Sequence, residues 1–156
     1  MFIEEGKKWV KVLEQRCFVN EDNLQSLSLN GIQIVHAQKD SILFNQILPK
    51  ELADRTGNCH VGAIAAIIDA VGATAIAIYT GMGLKVSVDF SISYFSTVKI
   101  QEEVEIEAKV VANKGKLSLT TVEFRRKKDG VLVALGKQWM SQVNVIPGFQ
   151  AHRTRL

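Results

Sequence analysis

The sequence predicts an α+β fold in which a curved antiparallel sheet wraps around one long central helix. Two observations support this prediction. Residues 61–79 are apolar or small almost throughout, and a helix that is apolar on all sides has to be covered on most of them. Six strand-like runs flank this segment and are joined by short turns, without strand–helix–strand alternation, which indicates antiparallel pairing.

The segments before the central helix predict one helix, a turn and two strands. Residues 4–18 have apolar side chains at helical spacing, and residues 21–28 are polar enough for a turn or a short helix. Runs at 31–37 and 41–48 predict two strands joined by a hairpin turn, and residues 50–58 predict a loop. The apolar face of the first helix comprises Trp9, Val10, Leu13, Cys17 and Phe18.

The central helix is predicted over residues 60–79 and ends at residues 80–83, which include two glycines. The first strand after it alternates, which predicts a half-buried strand. One face of that strand comprises Val86, Val88, Phe90, Ile92 and Tyr94, and the other comprises Ser87, Asp89, Ser91 and Ser93. The four predicted strands are residues 84–95, 103–111, 117–126 and 131–143.

Length and composition predict a single domain at residues 1–146 with an unstructured tail at residues 147–156. The hydrophobic content of 47% is enough for a core, and 22% charged residues is ordinary for a soluble protein. Two cysteines do not make a disulfide framework, so Cys17 and Cys59 are interpreted as reduced thiols of an intracellular protein. Acidic residues at positions 4 and 5 argue against a secretory signal or a transit peptide.

Neither nucleic acid nor a membrane is an expected partner. The net charge of +3 is mild, and the basic run at 125–128 leads into the turn Asp129-Gly130, which predicts a solvated hairpin end. Residues 61–79 nearly have the length of a membrane span, but a charge at the centre of a span is unfavourable, and Asp69 lies there.

Asp69 is the strongest candidate for chemistry, because the predicted helix offers no polar face on which to place it. Burial of an unpaired carboxylate is costly and raises its pKa. Such an acid can serve as a base or a nucleophile near neutral pH. The alternative is an aspartate that faces solvent or is satisfied by a hydroxyl group.

His60 lies at the predicted start of the same helix. The backbone N–H groups of His60, Val61 and Gly62 are expected to be unpaired there and able to hold an oxyanion, although a loop histidine without a role is the alternative. Nine residues separate His60 from Asp69, or about 13 Å along a helix axis, so the two cannot act on one atom within one chain. If both are catalytic, they act across a two-fold interface, which predicts a dimer with shared sites.

Two other kinds of site are disfavoured. A thiol nucleophile at Cys59 would need a third orienting group, which is not evident, so a small buried thiol is the favoured interpretation. A metal site is not expected, because His36 and His152 are isolated and neither CxxC nor HExxH occurs.

The stretch DRTGNCHVGAIAAIIDAVGATAIAI, followed by LKVSVDFSISYFSTVKIQEEVEIEAKVV, resembles the hotdog-fold acyl-CoA thioesterases. The resemblance is greatest to the small acyl-coenzyme A thioesterases, the branch with the thioesterase superfamily member 2 type and the phenylacetate-degradation thioesterases. It covers residues 30–143. It implies a hotdog fold, a homodimer that commonly forms a dimer of dimers, and hydrolysis of a fatty acyl-CoA without a cofactor.

The resemblance also implies roles for individual residues. Asp69 matches the catalytic acid, which acts as general base on a water or as nucleophile, and Ser87 helps to place the water. Val61 offers its backbone N–H to the thioester carbonyl oxygen, and His60 helps to polarise it. Asp54 occupies a position that is usually asparagine. Asp69 would come from one subunit, and His60, Val61 and Asp54 from its partner.

The chain departs from the family pattern at two positions. The family often has His-Gly-Gly where this chain has His60, Val61 and Gly62. Valine keeps its N–H but narrows the acyl or pantetheine path. Aspartate at position 54 adds a second negative charge near the thioester, which is expected to raise the pKa of a neighbouring acid or to lower activity.

The phosphates of CoA require cations near the mouth of the site. Arg55, Lys114 and Lys116 are the predicted ligands, and the two lysines lie in a turn that the family uses near the nucleotide. A solvated turn is the alternative for the lysines. Arg125 and Arg126 are further candidates.

The last three residues, Thr154-Arg155-Leu156, are similar to the peroxisomal address Ser-Lys-Leu. They predict a peroxisomal protein, with cytosol or mitochondrion as alternatives. Two other functions remain open for the domain. One is a hotdog hydratase or dehydratase acting on an enoyl or hydroxyacyl thioester, and the other is a non-catalytic acyl-CoA-binding module.

Overall fold

A computed structural model describes residues 1–17, 24–81 and 85–143, and in the first helix it leaves out the side chains at 9, 10 and 12–17. The predicted apolar face of that helix lies outside the described residues. So do residues 82–83 of the predicted helix end, His152, and the tail with its last three residues.

The described residues form three α-helices and six strands in the predicted order. The loop before the third helix also contains a short 3-10 turn at Lys50–Leu52. The helices are α1 (Phe2–Cys17), α2 (Leu24–Leu29) and α3 (Val61–Thr80). The strands are β1 (Gln33–Ala37), β2 (Ser41–Ile47), β3 (Lys85–Tyr94), β4 (Glu103–Lys114), β5 (Leu117–Arg126) and β6 (Leu132–Gln142).

All six strands join one antiparallel sheet in the order β1-β2-β4-β5-β6-β3. The turn between β4 and β5 is formed around Gly115, with φ 63°, and the turn after β5 around Gly130, with φ 70°. Glycine adopts positive φ at little cost, which explains its place in both turns. The strand β3 lies at an edge, where only β6 pairs with it.

The helix α3 packs against α1 and α2 and against strands β4, β5 and β6. Its buried residues interlock with inward-facing residues of the sheet, as predicted for a hotdog fold. Burial of this apolar surface is the main force that holds the sheet on the helix. The largest fully buried side chains include Phe44, Phe124, Ile42, Leu48, Ile67, Ile68, Ile76 and Ile106.

A glycine brings β6 close to α3. A Cβ atom at Gly136 would lie less than 3.0 Å from the side chain of Ile68, a fully buried residue of α3. No larger residue fits there unless the helix moves. At this contact the small residue that allows close approach belongs to the sheet, and the side chain that it accommodates, Ile68, belongs to the helix.

The segment Val61–Thr80 is long and apolar enough to cross a membrane, yet 67% of its most apolar window is buried inside the fold. It serves as the core helix. Its buried Thr74 hydroxyl donates to the Ala70 carbonyl at 2.8 Å, so this polar group is satisfied within the helix. The helix is capped by Gly81 at φ 82°.

The strand β3 differs from its prediction in two ways. In the single chain all of its residues are exposed or only partly buried, because α3 packs mainly on β4, β5 and β6, so the expected half-buried strand is wrong. The alternation is also interrupted, since the register with β6 shifts between Ser87 and Asp89. This β-bulge changes which side chains share a face.

The basic run at 125–128 is confirmed as a solvated hairpin end. Each of its four cations forms an ion pair with a nearby acid. The pairs are Arg125–Glu123, Arg126–Asp129, Lys127–Glu103 and Lys128–Glu102. The acidic partners neutralise the positive charge of the run. Arg125 and Arg126 are therefore less available to bind a phosphate than unpaired cations are.

Candidate active site

Asp69 is half-buried, and its side chain contacts residues of β3 and β6. The Ser87 hydroxyl donates to Oδ1 of Asp69 at 3.1 Å. The Gln138 amide Nε2 donates to the same oxygen. Burial raises the pKa of Asp69 above the usual value for aspartate, and the two hydrogen bonds offset part of that rise. Asp69 is thus neither solvent-facing nor unpaired.

The bulge in β3 places Ser87 beside Asp69. Ser87 pairs with Met140 and Phe90 pairs with Gln138, and both partners lie on the buried face of β6. Residues directly opposite each other in an antiparallel pair share a face, so Ser87 and Phe90 lie on the same side of the sheet. The expectation from simple alternation, that they face opposite ways, is therefore wrong.

Gln138 is a site residue that the sequence motifs did not predict. Its side chain is 0% exposed, and its Nε2 donates to Ser87 Oγ at 2.9 Å as well as to Asp69. A signal was present in the sequence of β6. Gln138 occupies the same alternation phase as Ala134, Gly136 and Met140, which makes it a polar residue at an inward position.

The start of α3 forms a second group of polar atoms. His60 is the N-cap, and its Nδ1 accepts from the Gly62 N–H at 3.0 Å. The His60 N–H itself donates to the Leu52 carbonyl at 2.8 Å. Of the three donors expected to be free, those of His60 and Gly62 are therefore occupied.

The Val61 N–H is the donor that this arrangement leaves open. It has no acceptor among the described residues, whereas the neighbouring Ala63 and Ile64 N–H groups both donate to the His60 carbonyl. The Val61 side chain is 54% exposed. In the neutral His60 ring, an accepting Nδ1 leaves the proton on Nε2, so the exposed imidazole offers a second donor beside the helix start. Both donors suit an anionic oxygen.

Asp54 organises the loop before this helix. Its Oδ1 accepts from the Thr56 N–H and the Thr56 hydroxyl, both at 2.7 Å, and from the Asn58 N–H at 3.0 Å. The hydrogen bond from the Thr56 hydroxyl is the main reason why the pKa of Asp54 lies below its usual value. Within one chain, the negative charge of Asp54 contributes to the raised pKa of the Cys59 thiol but not to the raised pKa of Asp69.

The two groups lie at opposite ends of β3. Ser87 contacts Asp69, whereas the hydroxyl of Tyr94 donates to the Val61 carbonyl at 3.0 Å. Seven residues of strand separate these two contacts, or roughly 20 Å. The structure therefore brings Asp69 together with Ser87, and His60 together with Val61 and the Asp54 loop, but it keeps the two sets apart within one chain.

Comparisons with known proteins identify the family of this chain. The model of the thioesterase superfamily matches residues 56–133, half of the chain, which include His60, Val61, Asp69 and Ser87 but neither Asp54 nor Gln138. The chain belongs to the thioesterase superfamily. The prediction of a thioester hydrolase with a hotdog fold is thereby confirmed.

Named relatives and solved structures agree with this family. Acyl-coenzyme A thioesterase 13 from Mus musculus is 27% identical over 109 residues, which span 70% of this chain and 78% of that protein. The same enzyme from Homo sapiens is 28% identical over the same shares. The crystal structure of thioesterase superfamily member 2 from Mus musculus superposes with a TM-score of 0.76 at 23% identity, over 92% of this chain and 98% of that one. At that identity the superposition establishes the fold.

The predicted phosphate ligands of this thioesterase fall into two places. Lys114 and Lys116 flank the turn between β4 and β5, at the end of the sheet where Ser87 and Gln138 lie. Arg55 lies in the Asp54 loop near the start of α3. All three are exposed and form no ion pair within the described part of the chain, in contrast to the cations at 125–128.

Cys59 is confirmed as a buried free thiol. Burial, with a smaller contribution from Asp54, raises its pKa to about 11, so the reactive thiolate is scarce at neutral pH. Within residues 1–17, 24–81 and 85–143, no group of three or more histidine, cysteine or acidic side chains is arranged for a metal ion.

Proposed function

We propose that this thioesterase hydrolyses acyl-CoA to a free acid and CoA. The observation that carries the proposal is the half-buried Asp69, held by Ser87 and Gln138 through one carboxylate oxygen only. The relatives named acyl-coenzyme A thioesterase support CoA as the thiol carrier. A raised pKa makes this carboxylate a stronger base than an exposed aspartate.

In the proposed reaction, Asp69 removes a proton from water as the water oxygen attacks the thioester carbonyl carbon. The C=O electron pair moves onto oxygen to form a tetrahedral intermediate. When it collapses, the C–S bond breaks, and the CoA thiolate takes up the proton that Asp69 removed. The alternative is direct attack by the carboxylate, which gives an anhydride that water then hydrolyses. Ser87, which contacts Asp69, would help to hold the attacking water.

The negative charge on the intermediate would be received at the start of α3. The Val61 N–H is unoccupied, and the first turn of a helix carries partial positive charge. His60 Nε2–H is the second proposed donor. Donors fixed in advance toward an oxyanion contribute more than mobile water does, because they need no reorganisation during the reaction.

A homodimer would unite the two halves of this site. The strand β3 has a free edge, and exposed apolar side chains lie along it, including Val86, Val88, Phe90 and Tyr94. A long apolar edge strand without a partner is unusual in a monomer. We therefore propose that β3 pairs with β3 of a second copy, which extends the sheet across a two-fold axis.

The two contacts that β3 makes with α3 are consistent with that pairing. A two-fold axis between Phe90 and Ser91 would set Ser87 of one chain opposite Tyr94 of the other. Asp69 of one subunit would then approach Val61 of its partner, because Ser87 and Tyr94 contact these two residues. A dimer of such dimers follows from the family resemblance and is proposed on that ground alone.

The substrate is proposed to be a medium- to long-chain fatty acyl-CoA. Lys114 and Lys116 of one subunit and Arg55 of its partner would meet the phosphates. The exposed apolar side chains of Val61 and Phe90, one in each half of the site, would contact the acyl chain. The peroxisome is the proposed location, on the basis of Thr154-Arg155-Leu156 in the sequence, which lie outside the described residues.

A free-thiol assay across a panel of acyl-CoAs tests the proposal. The intact protein is expected to release CoA with an optimum among medium and long chains, and Asp69→Asn is expected to lose about 10²- to 10⁴-fold in kcat. Unchanged turnover in Asp69→Asn would overturn the assignment of the site. Loss of enoyl absorbance without free thiol would instead indicate a hydratase, and tight binding without release over hours a binding module.

A further inference from the structure

The buried side chain of Gln138 is hydrogen-bonded to the Asp69 carboxylate and to Ser87. It lies on β6 between Phe90 of β3 and Thr120 of β5, and it is 0% exposed. Both of its hydrogen bonds in the described structure leave from Nε2, and its Oε1 has no partner among the described residues. A carboxylate only accepts hydrogen bonds, so the amide must present its NH₂ group to Asp69. The buried amide is thus oriented toward Asp69 although its own oxygen is left unsatisfied.

The hydrogen bonds around Asp69 form a closed triangle. Gln138 donates to Asp69 and to Ser87, and Ser87 donates to Asp69 at 3.1 Å. Both bonds to the carboxylate end on Oδ1, while Oδ2 accepts none from the described residues. The carboxylate is therefore anchored through one oxygen, and the other is free.

The helix itself leaves room for this arrangement. A Cβ atom at Gly72, three residues after Asp69 on α3, would lie less than 3.0 Å from Gln138 Oε1. It would stand 3.0 Å from Thr120 Cγ2, a tight contact. A glycine inside a buried helix lowers helix propensity, so its presence needs a reason. Here the missing side chain admits the Gln138 amide.

We infer that Gln138 is a positioning residue that holds Asp69 by Oδ1 and leaves Oδ2 as the oxygen that reacts. The inference rests on the proposed function and adds to it a residue and an atom. Gln138 acts through Asp69 and does not itself contact the substrate. Its role is to fix the carboxylate before the substrate arrives, which is the kind of support a catalytic group requires.

The electrostatic surroundings agree with this role. Asp69 is faced by Ser87 of β3 and Gln138 of β6, and β5 contributes Thr120 and Val122 near Gly72, none of which is charged. Burial raises the pKa of Asp69, and the bonds from Ser87 and Gln138 lower it. Loss of the Gln138 bond therefore raises the pKa further, and the carboxylate is then protonated at a higher pH.

The first test is Gln138→Met in the full-length protein, which keeps the length of the side chain and removes its donor. We expect kcat for acyl-CoA hydrolysis to fall roughly ten- to a hundredfold with KM nearly unchanged, since a displaced catalytic group costs rate more than binding. The acid limb of the kcat–pH profile should move to higher pH. A merely structural role would lower the unfolding temperature and leave that limb in place.

The second test displaces the Gln138 amide by a substitution at a different residue, Gly72. Gly72→Ala is expected to push the amide away and to reproduce the shift of the acid limb. In a Gln138→Ala background, where the oxygen is gone, the same Gly72→Ala change should cost little. The coupling between the two sites is read from the four kcat values of this cycle.

The outcomes separate the two proposals. An unchanged kcat and acid limb in Gln138→Met, with Asp69→Asn inactive, overturns the inference and leaves the proposed function intact. Full activity of Asp69→Asn overturns the proposed function itself. If Gln138→Met does not fold, the Gly72→Ala cycle decides, and equal costs of Gly72→Ala in both backgrounds contradict the inference.

Discussion

The two ends of β3 carry the two halves of the site, and they are built by different means. The Asp69 end is held by tertiary contacts, because Ser87 and Gln138 come from two strands that are distant in sequence. The helix-start end is held by local contacts, since Asp54 bonds to residues two and four positions later. Substitutions around Asp69 should therefore change the pKa and the position of that carboxylate. Substitutions at Asp54 should instead disturb the loop before α3.

At the helix-start end, the largest expected effect comes from removal of the open donor. Val61→Pro deletes the N–H, and proline is well suited to the first position of a helix. His60 is already extended, at φ −62° and ψ 135°, as a residue before proline prefers to be. Loss of one oxyanion donor is expected to lower kcat by about 10²- to 10³-fold.

Single-turnover and steady-state assays of CoA release measure this effect. Val61→Ala keeps the N–H, so its activity reports the contribution of the side chain alone. A Val61→Pro protein with the activity of Val61→Ala would show that this donor does not act on the reaction.

Mixing two inactive variants tests whether the two ends belong to different subunits of one site. A dimer of one Asp69→Asn chain and one Val61→Pro chain has one site with both defects and one with neither. Random re-association should therefore restore about a quarter of the activity of the unmodified protein. The measurement is CoA release after co-refolding, with each variant refolded alone as control. No recovery despite mixed dimers would mean that each site is contained in one chain.

A smaller effect is expected at the Asp54 loop. Asp54→Ala removes three hydrogen bonds to Thr56 and Asn58 and is expected to lower kcat/KM several-fold by loosening the residues before His60. Asp54→Asn keeps an acceptor oxygen and should lose less than Asp54→Ala. The two kcat/KM values check this, and an equal loss in both variants would show that the charge itself, which both remove, is what the site needs.

The sequence predicted the features that arise from burial patterns within one segment better than those that arise from contacts between distant segments. The alternation of β4 and the all-round apolar character of α3 were enough to predict the fold, because both patterns reflect burial of one face or of all faces. Asp69 stood out for the same reason, as a carboxylate in an apolar helix.

What the sequence did not predict depends on contacts between distant segments. The β-bulge that turns Ser87 toward Asp69 has no reliable pattern of its own, and Gln138 was recognisable only from its phase within β6. The sequence predicts an electrostatic effect of Asp54, but it does not by itself predict the three hydrogen bonds through which Asp54 organises its loop. Its neighbours Thr56 and Asn58 carried that information locally.

A difference in substrate affinity is expected from the cations at the Asp69 end. Lys114→Gln combined with Lys116→Gln should raise KM for acyl-CoA a few-fold and weaken its salt dependence, because exposed cations attract phosphate mainly through screened charge. The control is Lys127→Gln with Lys128→Gln, which removes the same charge from residues already paired with Glu103 and Glu102. Equal changes in both double variants would exclude a specific role for the turn between β4 and β5.

The smallest expected effect is on stability, and its sign distinguishes Asp69 from a surface acid. The folded protein raises the pKa of Asp69, so the charged carboxylate lowers the free energy of unfolding. This destabilisation is absent below the pKa of the unfolded state and develops as pH rises through the pKa of the folded state. Asp69→Asn should therefore raise Tm at pH 7, by roughly 2–4 °C for each kcal/mol recovered in a chain of this size.

Asp129 provides the opposite control. Its hydrogen bond and ion pair with Arg126 hold its pKa below the usual value, so it contributes stability above the unfolded pKa that is lost as pH falls. Asp129→Asn should lower Tm slightly at pH 7 and have no effect in acid. Melting curves of both variants between pH 3 and pH 8 measure these effects. A fall in Tm for Asp69→Asn at pH 7 would contradict the expectation that the charged, half-buried carboxylate of Asp69 destabilises the folded protein.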